Sequence, residues 1–111
     1  MYSEIKLSDP QGNERTVPML ANAATPIRFK NLFHADILNS ILQDGEFDID
    51  IVSKLAFVMA KQAAKQDFST INFDKYVEWL EDFDSMTFIE KSAEIFTTYI
   101  NSRENKSIPK K

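Results

Sequence analysis

Between Ile51 and Ala63 the chain places apolar side chains on nearly every side of a helix. Val52, Leu55, Ala56, Met59, Ala60 and Ala63 recur at the spacing of one helical face, and Ile51, Phe57 and Val58 carry the apolar character around most of the remainder. A helix apolar over most of its circumference is stable in water only when other elements cover it. The pattern therefore predicts a central helix, opened by Asp48 or Asp50 as its cap, with the rest of the chain wrapped about it. Its alanines allow a neighbouring helix to approach closely. Lys61 and Lys65 mark the wetter side near its end.

The flanking segments supply candidates for that cover. Ile5 and Leu7 alternate with Glu4 and Lys6, and Val17 and Met19 alternate on the far side of Asp9, Pro10, Gln11, Gly12 and Asn13, a set of turn-forming residues. A β-hairpin over residues 2–20 follows, with Pro18 suited to an edge strand because it has no N–H. Thr25 can cap a first helix with Pro26 in its first position, or else Ile27 to Phe29 is a short extended piece and the helix begins later. Phe29, Leu32, Phe33, Ile37 and Ile41, widened by Leu38 and Leu42, form its stripe, which runs to a stop near Gly45. Beyond the central helix the pattern breaks over residues 67–71. Asn72 then caps a third helix, with Phe73, Tyr76, Val77 and Leu80 on one face and Trp79 and Phe83 beside it. Thr87 and Glu90 have the spacing of a capping box for a final helix. One ridge of that helix carries Ile89, Ala93, Phe96 and Ile100, and a second carries Phe88, Ile95 and Tyr99. The fold class is thus mainly α: an N-terminal β-hairpin and about four helices packed as a small bundle. Residues 1–102 form a single domain and 103–111 a flexible basic tail.

The composition argues against several kinds of chemistry. There is no Cys, so disulfides, thiolate metal sites and thiol nucleophiles are closed. His34 is the sole histidine, and Asp36, two residues on, falls on another side of a helix, so no acid–base assembly is announced and no catalytic residue is assigned. Gly occurs only at positions 12 and 45, too few for a phosphate-cradling loop or a dinucleotide fingerprint, so no cofactor is expected. Asp44, Glu46, Asp48 and Asp50 alternate as calcium ligands do, but Gly45 stands at the wrong place for an EF-hand, and no metal site is assigned. Those acids read as a solvated loop that caps the next helix. Glu78, Glu81, Asp82 and Asp84 read as a water-facing surface able to attract a basic partner.

Formal net charge is −4. Arg103, Glu104, Lys106, Lys110 and Lys111 together contribute +3, which leaves −7 on residues 1–102 and disfavours nucleic acid as a partner. No apolar run reaches the length of a membrane span, and no secretory block opens the chain, so a cytoplasmic protein is expected. The apolar ridges on several helices exceed what so small a core requires. Phe57, Trp79, Phe83, Phe88 and Tyr99 are the candidate contacts with a partner or with further copies of the chain.

Three segments, in order, resemble the tail assembly chaperones of long-tailed bacteriophages and prophages of Gram-positive bacteria. They are Ile27 to Leu38 (a basic and aromatic stretch ending in Phe33-His34-Ala35-Asp36-Ile37), Leu55 to Lys61, and Tyr76 to Phe83 followed by an amphipathic helix. His34 occupies a position at which such proteins frequently carry Gly. The resemblance implies a non-enzymatic factor that binds the tape measure protein in the host cytoplasm. Such a factor keeps its client soluble, promotes assembly of tail tube protein around it, acts as a homo-oligomer and is absent from the finished virion. The contrasting expectation is a small monomeric adaptor or inhibitor that binds one defined protein target.

Overall fold

A computed structural model describes residues 1–37 and 49–107. Strands β1 (Tyr2–Ser8) and β2 (Glu14–Leu20) are followed by helix α1 (Thr25–Phe33), helix α2 (Ile49–Ala63) and a 3-10 turn (Phe68–Thr70). Helices α3 (Phe73–Leu80), α4 (Thr87–Glu90) and α5 (Ser92–Ser107) complete the order. The remainder of the expected first-helix stripe (Leu38, Ile41 and Leu42), the stop at Gly45, and the acids Asp44, Glu46 and Asp48 lie outside the described residues.

Helix α2 occupies the centre, as its sequence requires. Val52, Leu55, Ala56, Phe57, Val58 and Met59 have no exposed surface at all, and β2, α1, α3, α4 and α5 all pack against the helix. Its last turn closes with Lys65 in the left-handed conformation (φ 57°) while the Gln66 N–H reaches back to the Lys61 carbonyl, a C-terminal cap of the Schellman kind.

The hairpin pairs antiparallel with Ile5 opposite Val17 and Leu7 opposite Arg15. Opposite residues share a face, so Ile5, Leu7 and Met19 enter the core while Glu4 and Lys6 face water. Its turn forms as the residue types dictate. The Asp9 carboxylate accepts from the N–H groups of Gln11 (3.0 Å) and Asn13 (2.9 Å), and Gly12 takes φ 87°. A lone two-stranded hairpin is marginal in water. Here one face lies on α2, so the hairpin forms part of the core wall, and the architecture is mixed α/β rather than all-helical.

A buried polar junction joins the hairpin, α1 and α2. Gln62, 4% exposed, donates to the Leu20 carbonyl (2.6 Å) and to Thr25 Oγ1 (2.8 Å), and its own carbonyl accepts from Arg28 Nη1 (3.0 Å). Thr25 Oγ1 also accepts from the Asn22 N–H (3.0 Å). Thr25 thus sits inside α1, with Ala24 at the cap position, and Pro26 lies in the first turn where a missing N–H is harmless.

Three sequence expectations are corrected. The first helix does not run on from Phe33 to a stop near Gly45: His34, at φ 58° and ψ 37°, caps α1 in the left-handed conformation, with its N–H bonded to the Lys30 carbonyl. The final helix is two helices, broken at Lys91. Thr87 forms no capping box, because its hydroxyl oxygen accepts instead from the Ser8 N–H at the end of β1 (2.9 Å). Phe88, Ile95 and Phe96 turn inward with Tyr99 half-buried, while Ile89, Ala93 and Ile100 are exposed. On α3, Tyr76 faces inward as expected, whereas Phe73 and Val77 face water. Helix α5 continues to Ser107, through residues whose polar composition suggested fraying, and residues 108–111 lie outside the described part.

Replacing Gln62 by Leu removes the donors to the Leu20 carbonyl and the Thr25 hydroxyl from a buried site, and should cost about 1–3 kcal/mol. A urea titration followed by circular dichroism measures it; an unchanged midpoint would contradict the junction's role. At His34 the left-handed backbone disfavours any residue with a Cβ by roughly 1–2 kcal/mol. His34→Gly should therefore hold or raise the melting temperature, and His34→Val should lower it. The reverse order would rule out left-handed strain at this position.

Candidate functional site

Eight aromatic rings form a connected series from α1 to α4. Phe33 meets Phe29 (5.2 Å between centroids), Tyr76 (5.0 Å), Phe57 (6.5 Å) and Phe73 (6.5 Å). Phe57 meets Tyr76 and Trp79, each at 5.4 Å, and Trp79 meets Phe83 (4.8 Å) and Phe88 (5.6 Å). Most of the pairs are edge-to-face, the arrangement that the ring quadrupoles favour. The Tyr76 hydroxyl reaches Ser53 Oγ at 2.6 Å inside the core, so the polar ends of both side chains are satisfied.

The structure brings together four of the five residues singled out as contacts. Phe57, Trp79, Phe83 and Phe88 are one cluster, but it faces inward: Phe57, Phe83 and Phe88 are buried, and Trp79 is half-buried. Tyr99, on α5, is half-buried against the core. These rings hold the helices to one another, and of the five only Trp79 and Tyr99 keep partly exposed surface. Among the described residues the large hydrophobic side chains that face water are others: Tyr2, Ile27, Phe73, Val77, Met86, Ile89 and Ile100. Helical spacing alone does not separate Phe73 from Tyr76, since both fit the same stripe; the deciding factor is how α3 meets Phe33 and Phe57.

A trough lies where the aromatic series reaches the surface, between α1 and the segment from Phe68 to Phe73. It consists of two adjoining depressions of about 450 and 290 Å³ that share Asn31, Leu32 and Ile71. The larger is also lined by Phe33, His34, Lys54, Asn72 and Phe73, and the smaller by Arg28, Phe68 and Ser69. Two cations rise over its rings. The Arg28 guanidinium lies 4.6 Å from the centroid of Phe68, and the Lys54 ammonium 5.4 Å from that of Phe33. Neither forms an ion pair among the described residues, where the salt bridges are Lys75–Glu78 and Lys91–Glu94. Asp67, beside the trough, is engaged locally: the Ser69 hydroxyl and then the Ser69 N–H hold its carboxyl below the ordinary range. Sequence reading missed the trough because residues 67–71 break the helical pattern. The available signal was Phe68 and Ile71, two large apolar residues inside an apparent linker.

Among the described residues, no group of three or more His, Asp or Glu is placed to hold a metal ion, and no helix is long and apolar enough to cross a membrane. Neither family models, curated proteins nor solved structures yield a match to this chain.

One titration is readable at Tyr99. Burial, and secondarily the Asp36 carboxylate, raise its hydroxyl pKa above the ordinary value. In the unfolded chain a tyrosine ionises near pH 10. The stabilisation from keeping Tyr99 neutral is therefore complete below about pH 10 and is lost as pH rises through the higher folded value. Unfolding midpoints measured between about pH 9 and 11 should fall, and fall less steeply in Tyr99→Phe. Identical slopes would show that Tyr99 does not contribute.

Proposed function

We propose that this protein is a non-enzymatic tail assembly chaperone that binds the tape measure protein, keeps it soluble in the host cytoplasm and promotes assembly of the tail tube around it. The reading begins from the ordered resemblance over Ile27–Leu38, Leu55–Lys61 and Tyr76–Phe83. The observation that carries it furthest is at His34. Proteins of that family frequently carry Gly at this position, and His34 adopts φ 58°, the backbone conformation that Gly enters without steric cost. The departure in residue type thus leaves the local turn of the kind a Gly would make. The three segments also converge in space, since Phe33, Phe57, Tyr76 and Trp79, one or two from each, are in ring contact. Exposed Ile27, Phe73 and Val77 provide apolar surface for a client beside that junction.

The adaptor or inhibitor reading is favoured by one observation: the aromatic residues best suited to contacts between copies are largely inside a single copy. A chain that buries Phe57, Phe83 and Phe88 does not need a second copy to cover them. Self-association would use the exposed faces instead.

Turbidity of a tape measure segment diluted from denaturant tests the proposal. Equimolar protein should suppress the light scattering and co-elute with the segment on gel filtration. Unchanged aggregation would sink the chaperone reading. Sedimentation velocity over a range of concentrations separates the two readings: concentration-dependent assembly supports the chaperone, and a strict monomer that leaves the segment insoluble supports the adaptor.

A further inference from the structure

We infer that the trough between α1 and the Phe68–Phe73 segment is a docking site for an acidic amphipathic helix of a partner protein. This deepens the chaperone reading, and rests on it only in taking that partner to be the client.

The first part of the argument is charge. The chain carries a formal −4, yet the titratable side chains among the described residues lining the trough are Arg28, Lys54 and His34, with no carboxylate. Arg28 and Lys54 lie against Phe68 and Phe33, so their heads are partly desolvated and held in place. Cations held in this way, without an ion-pair partner among the described residues and on a chain of net negative charge, attract an incoming carboxylate and repel an incoming ammonium.

Shape and polarity supply the second part. The two depressions adjoin through Asn31, Leu32 and Ile71, giving one elongated apolar floor of Leu32, Phe33, Phe68, Ile71 and Phe73. Phe73 is 54% exposed although its ring touches Phe33 and Tyr76, so apolar surface continues out of the trough. Among the described residues no β-strand lines the trough. The Ser69 N–H bonds to the Asp67 side chain, and the N–H groups of Thr70 and Ile71 are taken by the carbonyls of Asp67 and Phe68. Three consecutive N–H groups of this wall are therefore already engaged, which disfavours addition of a β-strand. A helix, which satisfies its own backbone, presents an apolar stripe to the floor and acids from its flanks to Arg28 and Lys54.

The test uses the full chain and two synthetic amphipathic helices of Leu and Ala, one with Glu and the other with Lys on the polar face. Calorimetry should show the Glu peptide binding at least about tenfold more tightly than the Lys peptide, with the difference shrinking as salt is raised. Amide chemical-shift changes should centre on Asn31, Leu32, Ile71 and Asn72. Lys54→Glu, checked for folding by circular dichroism, should abolish the preference, and Phe73→Ser should weaken the Glu peptide without changing which peptide is preferred. Equal affinity for the two peptides, shifts centred elsewhere, or an unaltered preference in folded Lys54→Glu would overturn the proposal. The client assay keeps the two ideas apart. Should Lys54→Glu protect the tape measure segment as well as the parent does, the trough is not the client site and the chaperone reading survives. Should the parent fail to protect while peptide selectivity holds, the chaperone reading falls and the trough remains a docking site for an acidic helix.

Discussion

Burying one helix on nearly every side commits the rest of the chain. Helix α2 has little surface to leave in water, so β2, α1, α3, α4 and α5 are each placed by the part of α2 that they cover. The hairpin takes one side, α1 and α3 meet at Phe57, and α4 and α5 close the remainder. Phe57 shows how tightly this is coupled: its ring touches rings from both α1 and α3, and it has no exposed surface. Burial of such a side chain contributes on the order of 2–3 kcal/mol, and removing it would leave a cavity bordered by two other elements.

The polar groups that enter this core fix direction where apolar contacts alone would allow sliding. Gln62 binds a strand carbonyl, a helix hydroxyl and a guanidinium, which sets the hairpin, α1 and α2 in one relative placement. Arg28 is shared between this junction and the trough: one nitrogen holds Gln62 while the guanidinium plane covers Phe68. Interior packing and surface charge are therefore connected through a single side chain.

Much of this was legible in the residues. The hairpin and its turn followed from alternation around Asp9 to Asn13, the central helix from its continuous apolar surface, and the Asn72 cap from residue type alone. Where the reading failed, a distant partner won over a local signal. Thr87 has the local spacing of a capping residue, but the N–H of Ser8 at the end of β1 donates to its oxygen. His34 shows no sequence mark of a helix stop, because only its backbone, bonded back to Lys30, makes it one. Of the candidate contacts, Phe57, Phe83 and Phe88 are buried within the single chain and Trp79 and Tyr99 keep part of their surface. Periodicity finds a stripe, but which edge of the stripe faces inward depends on the crossing of two helices. The trough was harder still, since its floor is assembled from α1 and a segment some forty residues further on, a juxtaposition that no local pattern encodes.

The bond between Ser8 and Thr87 spans 79 residues, and it bears on how the molecule is made. β1 and α2 leave the ribosome well before Phe83, Phe88, Ile95 and Phe96, which complete the cover of the core. Until that last quarter is synthesised, the nascent chain holds an apolar helix with one side open, the kind of exposed surface that drives aggregation of incomplete chains. The cover is complete only once α4 and α5 are in place, with Thr87 bonded to the end of the first strand. A product that stopped short of α4 would carry most of the helical sequence and lack the contacts that cover this side of α2.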